Sequence, residues 1–137
     1  MMEAMSARDG VIRLADGEDL VAKLLERPWG ATIIYCGIGM LRGLELGYWS
    51  GTEYVKHHID EPVELLSLQG NLGERDHEAV LHAHVCVAKK DGTAWGGHLL
   101  AATVHNTVEL AVVRPAGIQL VRKQEATGLL GLYPQVK

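Results

Sequence analysis

Three of the seven histidines of this 137-residue chain fall in one stretch, LHAHVCVAKKDGTAWGGHL at 81–99. They are His82, His84 and His98. Imidazole nitrogen is a good ligand for zinc, copper, nickel and iron. Three such ligands on one ion leave a fourth position open, as in catalytic zinc sites where bound water acidifies toward neutral pH. An open position also suits a site that takes a ligand carboxylate. Upstream, Glu74, Asp76 and His77 are read as a loop that can offer a fourth ligand or a base, although a solvated loop is the simpler reading. His105 is a second candidate base. Cys86 follows His82 and His84 on the same face and reads as a core thiol.

The elements around the histidines decide whether they meet. A strand over 81–88 puts His82 and His84 on one face, about 7 Å apart. A second strand over 94–101 carries His98. If the connecting loop is Asp91-Gly92 alone, Lys90 pairs with Thr93, and His98 points to the opposite face. If the loop is Lys90-Asp91-Gly92, a type I turn closed by a left-handed glycine, Lys89 pairs with Thr93. His84 then lies opposite His98, with Cβ atoms about 5 Å apart. Gly96-Gly97 can also supply a bulge residue. The sequence permits both registers.

One segment reads as helix. In DGEDLVAKLLER, Leu20, Val21, Leu24 and Leu25 recur on one helical face. Asp16 is the expected N-cap, and Pro28 and Gly30 the stop. Strands are expected over 31–36, 41–49, 53–59, 63–68, 81–88, 94–101, 107–113 and 118–122. Bends fall at Gly37 and Gly39, an end at Gly70-Asn71 and a turn at His105-Asn106. Short strands separated by turn residues predict an α+β fold, mainly an antiparallel sheet packed with one main helix. Gly37-Ile38-Gly39 is too weak for a phosphate loop, since no Gly-Lys-Ser/Thr follows. His57 and His58 point to opposite faces of a strand and do not chelate together.

The length is that of one domain, 1–137, able to bury an independent core. With no Phe, Leu, Val and Ile must fill that core, helped by Trp and Tyr. Met1 and Met2 are expected to add nothing structural. Cys36 and Cys86 are read as buried free thiols. With no secretory signal and no apolar run of about 20 residues, the expected compartment is cytoplasmic. The formal net charge of −4 argues against autonomous nucleic-acid binding. Arg42, Lys56, Arg122 and Lys123 are the obvious contributors to any basic patch.

The ordered pieces Gly37-Ile38-Gly39, Leu46-Gly47-Tyr48-Trp49, Glu64-Leu65-Leu66-Ser67-Leu68-Gln69-Gly70-Asn71, His82-Ala83-His84-Val85, Asp91-Gly92, Gly96-Gly97-His98-Leu99 and Val108-Glu109-Leu110 resemble the free-standing prokaryotic form of the PPC (plants and prokaryotes conserved) domain. The resemblance covers about residues 11–133. It implies an antiparallel sheet with one main helix, a homotrimer, and a metal, usually read as zinc, on His82, His84 and His98. Plant relatives join the domain to AT-hook segments, which is why the family carries a DNA-binding label. This chain has no Arg-Gly-Arg-Pro hook. Trp49, Trp95 and Met40 are candidate interface residues.

Three functions follow as expectations. The first is a metal-containing homotrimer that scaffolds or senses. The second is a DNA-associated regulator, by family association only. The third is a metal-dependent hydrolase using water on the open position. Two enzyme patterns fail: the cupin Glu is missing from Val85–Lys89, and no Pro-Cys-x-x-Cys of a zinc deaminase occurs. The reading leans away from an enzyme. It names no substrate and no small-molecule ligand, and it expects no membrane partner.

Overall fold

The computed structural model describes residues 1–27 and 30–137. Their order is β1 (Met2–Met5), β2 (Asp9–Ala15), α1 (Leu20–Leu25), β3 (Thr32–Trp49), β4 (Tyr54–Ile59), β5 (Val63–Arg75), β6 (Glu78–Ala88), β7 (Ala94–Val113), β8 (Ile118–Gln124) and β9 (Leu130–Val136). The fold is predominantly β with one short helix, so the helical share is smaller than the expected α+β class. No helix among the described residues is long and apolar enough to cross a membrane.

The sheet runs β1-β2-β7-β3-β5-β8-β9, with β4 on β3 and β6 on both β5 and β7. Because β3 also pairs with both β5 and β7, these four strands form a closed circuit of antiparallel pairings. Their inward positions carry Ile34, Leu41, Leu68, Val85, Val87, Val104 and Leu110, all buried. Leu20 and Leu24 of α1 are fully buried and close the core on one side. Leu25, expected on the same face, is exposed. No described Trp or Tyr is buried, so aliphatic side chains alone fill the interior.

Several expected boundaries vanish. β3 is one strand of 18 residues and β7 one of 20. Register shifts near Ile34, Gly39 and Arg42 let β3 bend without breaking. β5 runs straight through Gly70-Asn71, and the chain reverses instead at Asp76-His77, where φ is +50° and +67° between the paired Arg75 and Glu78. That is a two-residue hairpin with both central residues left-handed. β7 passes through His105-Asn106. Asn106 adopts φ +65° there, and its amide donates to Asp16 Oδ1 at 2.7 Å.

The same contact moves the helix cap. Asp16 is held by Asn106 and by Arg42 Nη1 at 2.7 Å, so Asp19 caps α1 instead, accepting from the Ala22 amide at 2.9 Å. Pro28, the expected helix stop, lies outside the described residues. Met1 and Met2 are structural after all. The Met1 amine pairs with Glu18 Oε1 at 3.0 Å, and Met2 opens a strand paired with Arg13. The thiols are free, but Cys36 is exposed and Cys86 half-buried, because both face away from the core.

Gly70 lets β5 and β6 close on each other beside His82. A Cβ there would lie 2.1 Å from the His82 carbonyl oxygen and 2.7 Å from Ala83 Cα, both backbone atoms. Gly70→Ala should therefore destabilise the protein by about 1–3 kcal/mol, the usual cost of overpacking. Thermal unfolding checks this, and an unchanged midpoint would contradict so close an approach.

Candidate metal centre

β6 turns Ala83, Val85 and Val87 into the core, which sends His82 and His84 to the opposite face. The loop to β7 is Lys90-Asp91-Gly92. The Gly92 amide donates to Lys89 O at 2.8 Å, and the Lys89 amide donates to Thr93 O at 2.9 Å. Gly92 has φ +86°. The Asp91 carboxylate accepts from the Thr93 amide at 2.9 Å and from its hydroxyl at 2.6 Å, locking the turn. This is the three-residue loop, and it pairs His84 with His98. Gly96-Gly97 adds no bulge, since Cys86 and Val85 pair with them in step. A Cβ on Gly97 would instead meet the Gly47 carbonyl oxygen at 2.9 Å, so that glycine serves the approach of β3.

The three imidazoles converge. His82 Nε2 lies 3.3 Å from His84 Nε2, and one ring nitrogen from each of the three histidines falls within 4.8 Å of the others. An ion with Zn–N bonds of about 2.0–2.1 Å in tetrahedral geometry sets its nitrogens roughly 3.4 Å apart. The first pair already meets that spacing, and the third ring needs to close by no more than about 1.4 Å. The donor set, three imidazole nitrogens that no carboxylate or thiol joins among the described residues, fits a divalent borderline metal.

Neighbouring side chains position the rings. Tyr54 of β4 stacks on His98 with centroids 4.9 Å apart, and Trp49 meets Tyr54 edge-on at 5.1 Å. Arg122 of β8 approaches from the other side. Its Nη2 lies 3.3 Å from His82 Nδ1 and 2.7 Å from Asn71 Oδ1, and its Nη1 donates to Leu130 O at 3.1 Å. A guanidinium only donates, so His82 Nδ1 is the acceptor. The ring proton then sits on Nε2, facing His84.

Burial pushes the His98 pKa down to about 4, with smaller contributions from the nearby His82 and His84. Burial, then the Arg122 charge, then His84 lower His82. Both rings are therefore neutral at pH 7 and keep a lone pair.

Other expected participants lie elsewhere. Asp76 and His77 form the tip of the β5–β6 hairpin, about 17 Å along β6 from His82 at 3.3 Å per residue, and Glu74 is next to that tip. His105 is engaged by Arg42 at 3.0 Å. His57 lies edge-on to Trp95, and His58 pairs with Asp60, so the two rings point apart as expected. The basic set makes no open patch. Arg42 pairs with Asp16 and Lys56 with Glu45, Lys123 lies over the Tyr133 ring, and Arg122 is buried. Arg122 is the site residue that sequence reading misplaced, as a surface cation. A signal was present: in Ile118-Gln119-Leu120-Val121-Arg122 the period of two puts Arg122 on the face of buried Leu120. Tyr54 and Asn71 carried no such signal.

A family model for the Plants and Prokaryotes Conserved (PCC) domain matches residues 1–114. The fold is similar to a plant- and prokaryote-conserved protein of Pyrococcus horikoshii, with TM-score 0.85, 30% identity, and coverage of 99% of this chain and 96% of that one. It is also similar to a metal-containing protein of Archaeoglobus fulgidus, with TM-score 0.82, 35% identity, and coverage of 91% and 92%. Among curated proteins, the bifunctional protein GlmU of Synechococcus sp. (strain JA-3-3Ab) is 29% identical over 128 residues. The match takes in 89% of this chain but 20% of that protein, so the chain spans about a fifth of the length of the curated relatives it matches.

The lowered histidine pKa values set a pH dependence. Between the unfolded value of 6.5 and about 4, the unfolded chain binds a proton at position 98 that the folded chain refuses. Stability of the metal-free protein should fall as pH drops through that window and level off below it, with His82 adding in the same direction. Thermal midpoints measured against pH check this. The His98→Asn profile should be flatter, and parallel profiles would count against it.

Proposed function

We propose, on the premise that this chain belongs to the Plants and Prokaryotes Conserved domain family, that it is a homotrimeric metal-binding module that scaffolds or senses. The metal is zinc, held by His82, His84 and His98. The observation that carries this reading is the convergence of the three ring nitrogens within 4.8 Å. The similar Archaeoglobus fulgidus protein is described as metal-containing, which supports it. When bound, such an ion supplies a Lewis acid with one open position. The chain's own contribution is to hold three imidazoles together on one face and to orient His98 against Tyr54.

The trimer is supported by apolar residues on the outer sheet face. Val11, Ile33, Tyr35, Ile38 and Leu66 are between 38% and 63% exposed on β2, β3 and β5, with β7 lying between β2 and β3. Monomers rarely leave such a run of large apolar side chains open to water. Trp95 is also exposed, and Met40 and Trp49 are half-buried, so none of the three expected interface residues is core. A binding role is favoured over hydrolysis because the expected bases lie away from the histidines, Glu74 beside the β5–β6 hairpin tip and His105 against Arg42. A DNA role finds no support in Arg42, Lys56, Arg122 and Lys123, the residues expected to build a basic face, since these are paired, stacked or buried.

Elemental analysis and solution mass on tag-free protein test this. The expected result is near one metal per chain, a mass three times 14.9 kDa, and loss of metal in His98→Ala. Ile38→Glu should shift the mass toward the monomer while keeping the metal. No metal after zinc addition would overturn the metal reading, and a monomer at micromolar concentration would overturn the trimer. DNA binding at low salt that weakens as salt rises would favour the regulator instead.

A further inference from the structure

Arg122 carries a charge that the protein does not balance. It is 5% exposed. None of the ion pairs among the described residues includes it. Its partners are neutral: the Asn71 amide oxygen, the Leu130 carbonyl and the His82 ring. Three hydrogen bonds use part of its five N–H groups, and Nε is buried with no partner. Buried cations are ordinarily met by an anion, because removing them from water is costly.

The surroundings make the imbalance larger. Arg122 lines a cavity of about 280 Å³ whose lining also includes His82 and His98. A divalent ion on three neutral imidazoles adds two further positive charges, and no acidic side chain joins that cluster among the described residues. A ring that ligates through Nε2 carries its proton on Nδ1. His82 then no longer accepts from Arg122, and another guanidinium N–H is left open. The walls are of a different kind. Tyr54, Leu81, Leu129 and Leu130 are aromatic or aliphatic, and Gly128 adds no side chain, with open space where its Cβ would be. Arg122, Leu129 and Leu130 follow residue 114, beyond the stretch that the family model matches.

We infer that this cavity binds a small organic monocarboxylate. Its carboxylate lies between Arg122 and the three-imidazole centre, and its apolar remainder lies against Tyr54 and Leu129-Leu130. The inference deepens the metal-binding reading and rests on it for the second cation. A guanidinium matches a carboxylate in shape and charge. Inorganic phosphate fits less well, because it carries oxygens on all sides and, apart from the Tyr54 hydroxyl, the side chains of these walls offer no donors to the outer ones. The volume limits the ligand to a small acid of the size of propionate or benzoate.

Calorimetric titration of propionate, benzoate and inorganic phosphate into zinc-loaded and metal-free protein tests this. Both carboxylates should bind the zinc-loaded protein more tightly than phosphate does. Arg122→Met should weaken them at least tenfold when compared with wild type at equal zinc content. If Arg122→Met fails to fold, Arg122→Lys keeps the charge, lacks the fork, and should show the same tenfold loss. Tyr54→Ala should weaken benzoate more than propionate. Carboxylate affinity within twofold of wild type in a folded Arg122 variant would overturn the inference, as would tighter binding of phosphate or no carboxylate binding to loaded protein. If the chain takes up no zinc, the metal reading fails on its own. Carboxylate binding to the metal-free protein that is lost in the Arg122 variant would then still support the cavity, and its absence would overturn it.

Discussion

Gly92 sits at φ +86° while Asp91 stays out of the left-handed region, so the β6–β7 loop is three residues long, and that length settles which face of β7 meets the histidines of β6. Side chains alternate along a strand, so one residue more or less in the loop exchanges every inward and outward position of the partner. With Lys90-Asp91-Gly92 as the loop, Leu99 goes to the core and His98 goes out beside His84. The Asp91 carboxylate, tied to both the amide and the hydroxyl of Thr93, holds the turn in that form. The convergence of the three imidazoles, the contact of Tyr54 with His98, and the cavity beside them all depend on this register.

The second organising element is the closed circuit of β3, β5, β6 and β7. It buries a purely aliphatic core on its inside and leaves the histidine face outside, where β4 and β8 bring Tyr54 and Arg122 to its flanks. Close strand approach is met by small residues where it is tightest, at Gly70 beside His82 and at Gly97 beside Gly47. The site is thus assembled from four strands, and its rings are fixed by neighbours of opposite character. Tyr54 offers an aromatic face on one side, and Arg122 an unbalanced charge on the other.

Local signals misled the reading of strand ends for one recurring reason. Gly37, Gly39, Gly70-Asn71 and His105-Asn106 all resemble turns, yet each lies inside a long strand. In β3 and β7 the irregular residues serve as bulges or left-handed steps that bend a continuous strand, while Gly70 makes room for β6. Asn106 tolerates φ +65° because its amide finds Asp16 Oδ1. That long-range contact also removes Asp16 from the helix cap it was expected to form. The real reversal, Asp76-His77, has neither glycine nor proline. The terminal segments were missed because their pairing is not visible locally: β1 pairs with β2, and β9 with β8, through contacts that propensity alone does not reveal.

By itself the sequence determined the strand-rich composition, the single helix near residue 20, the alternation that puts His82 and His84 on one face, and the ordered motifs that resemble the family. Each of these rests on local periodicity or on residue order. It left the hairpin register open between two allowed loops, because both satisfy the local backbone preferences of Asp91-Gly92. Only the tertiary structure decided that register, through the burial of Leu99 and the pairing of β7 with β3 as well as β6. Only the tertiary structure turned Arg122 from an expected surface cation into a buried neighbour of His82, because its surroundings come from β5 and β6, whose partnership with β8 no local pattern encodes.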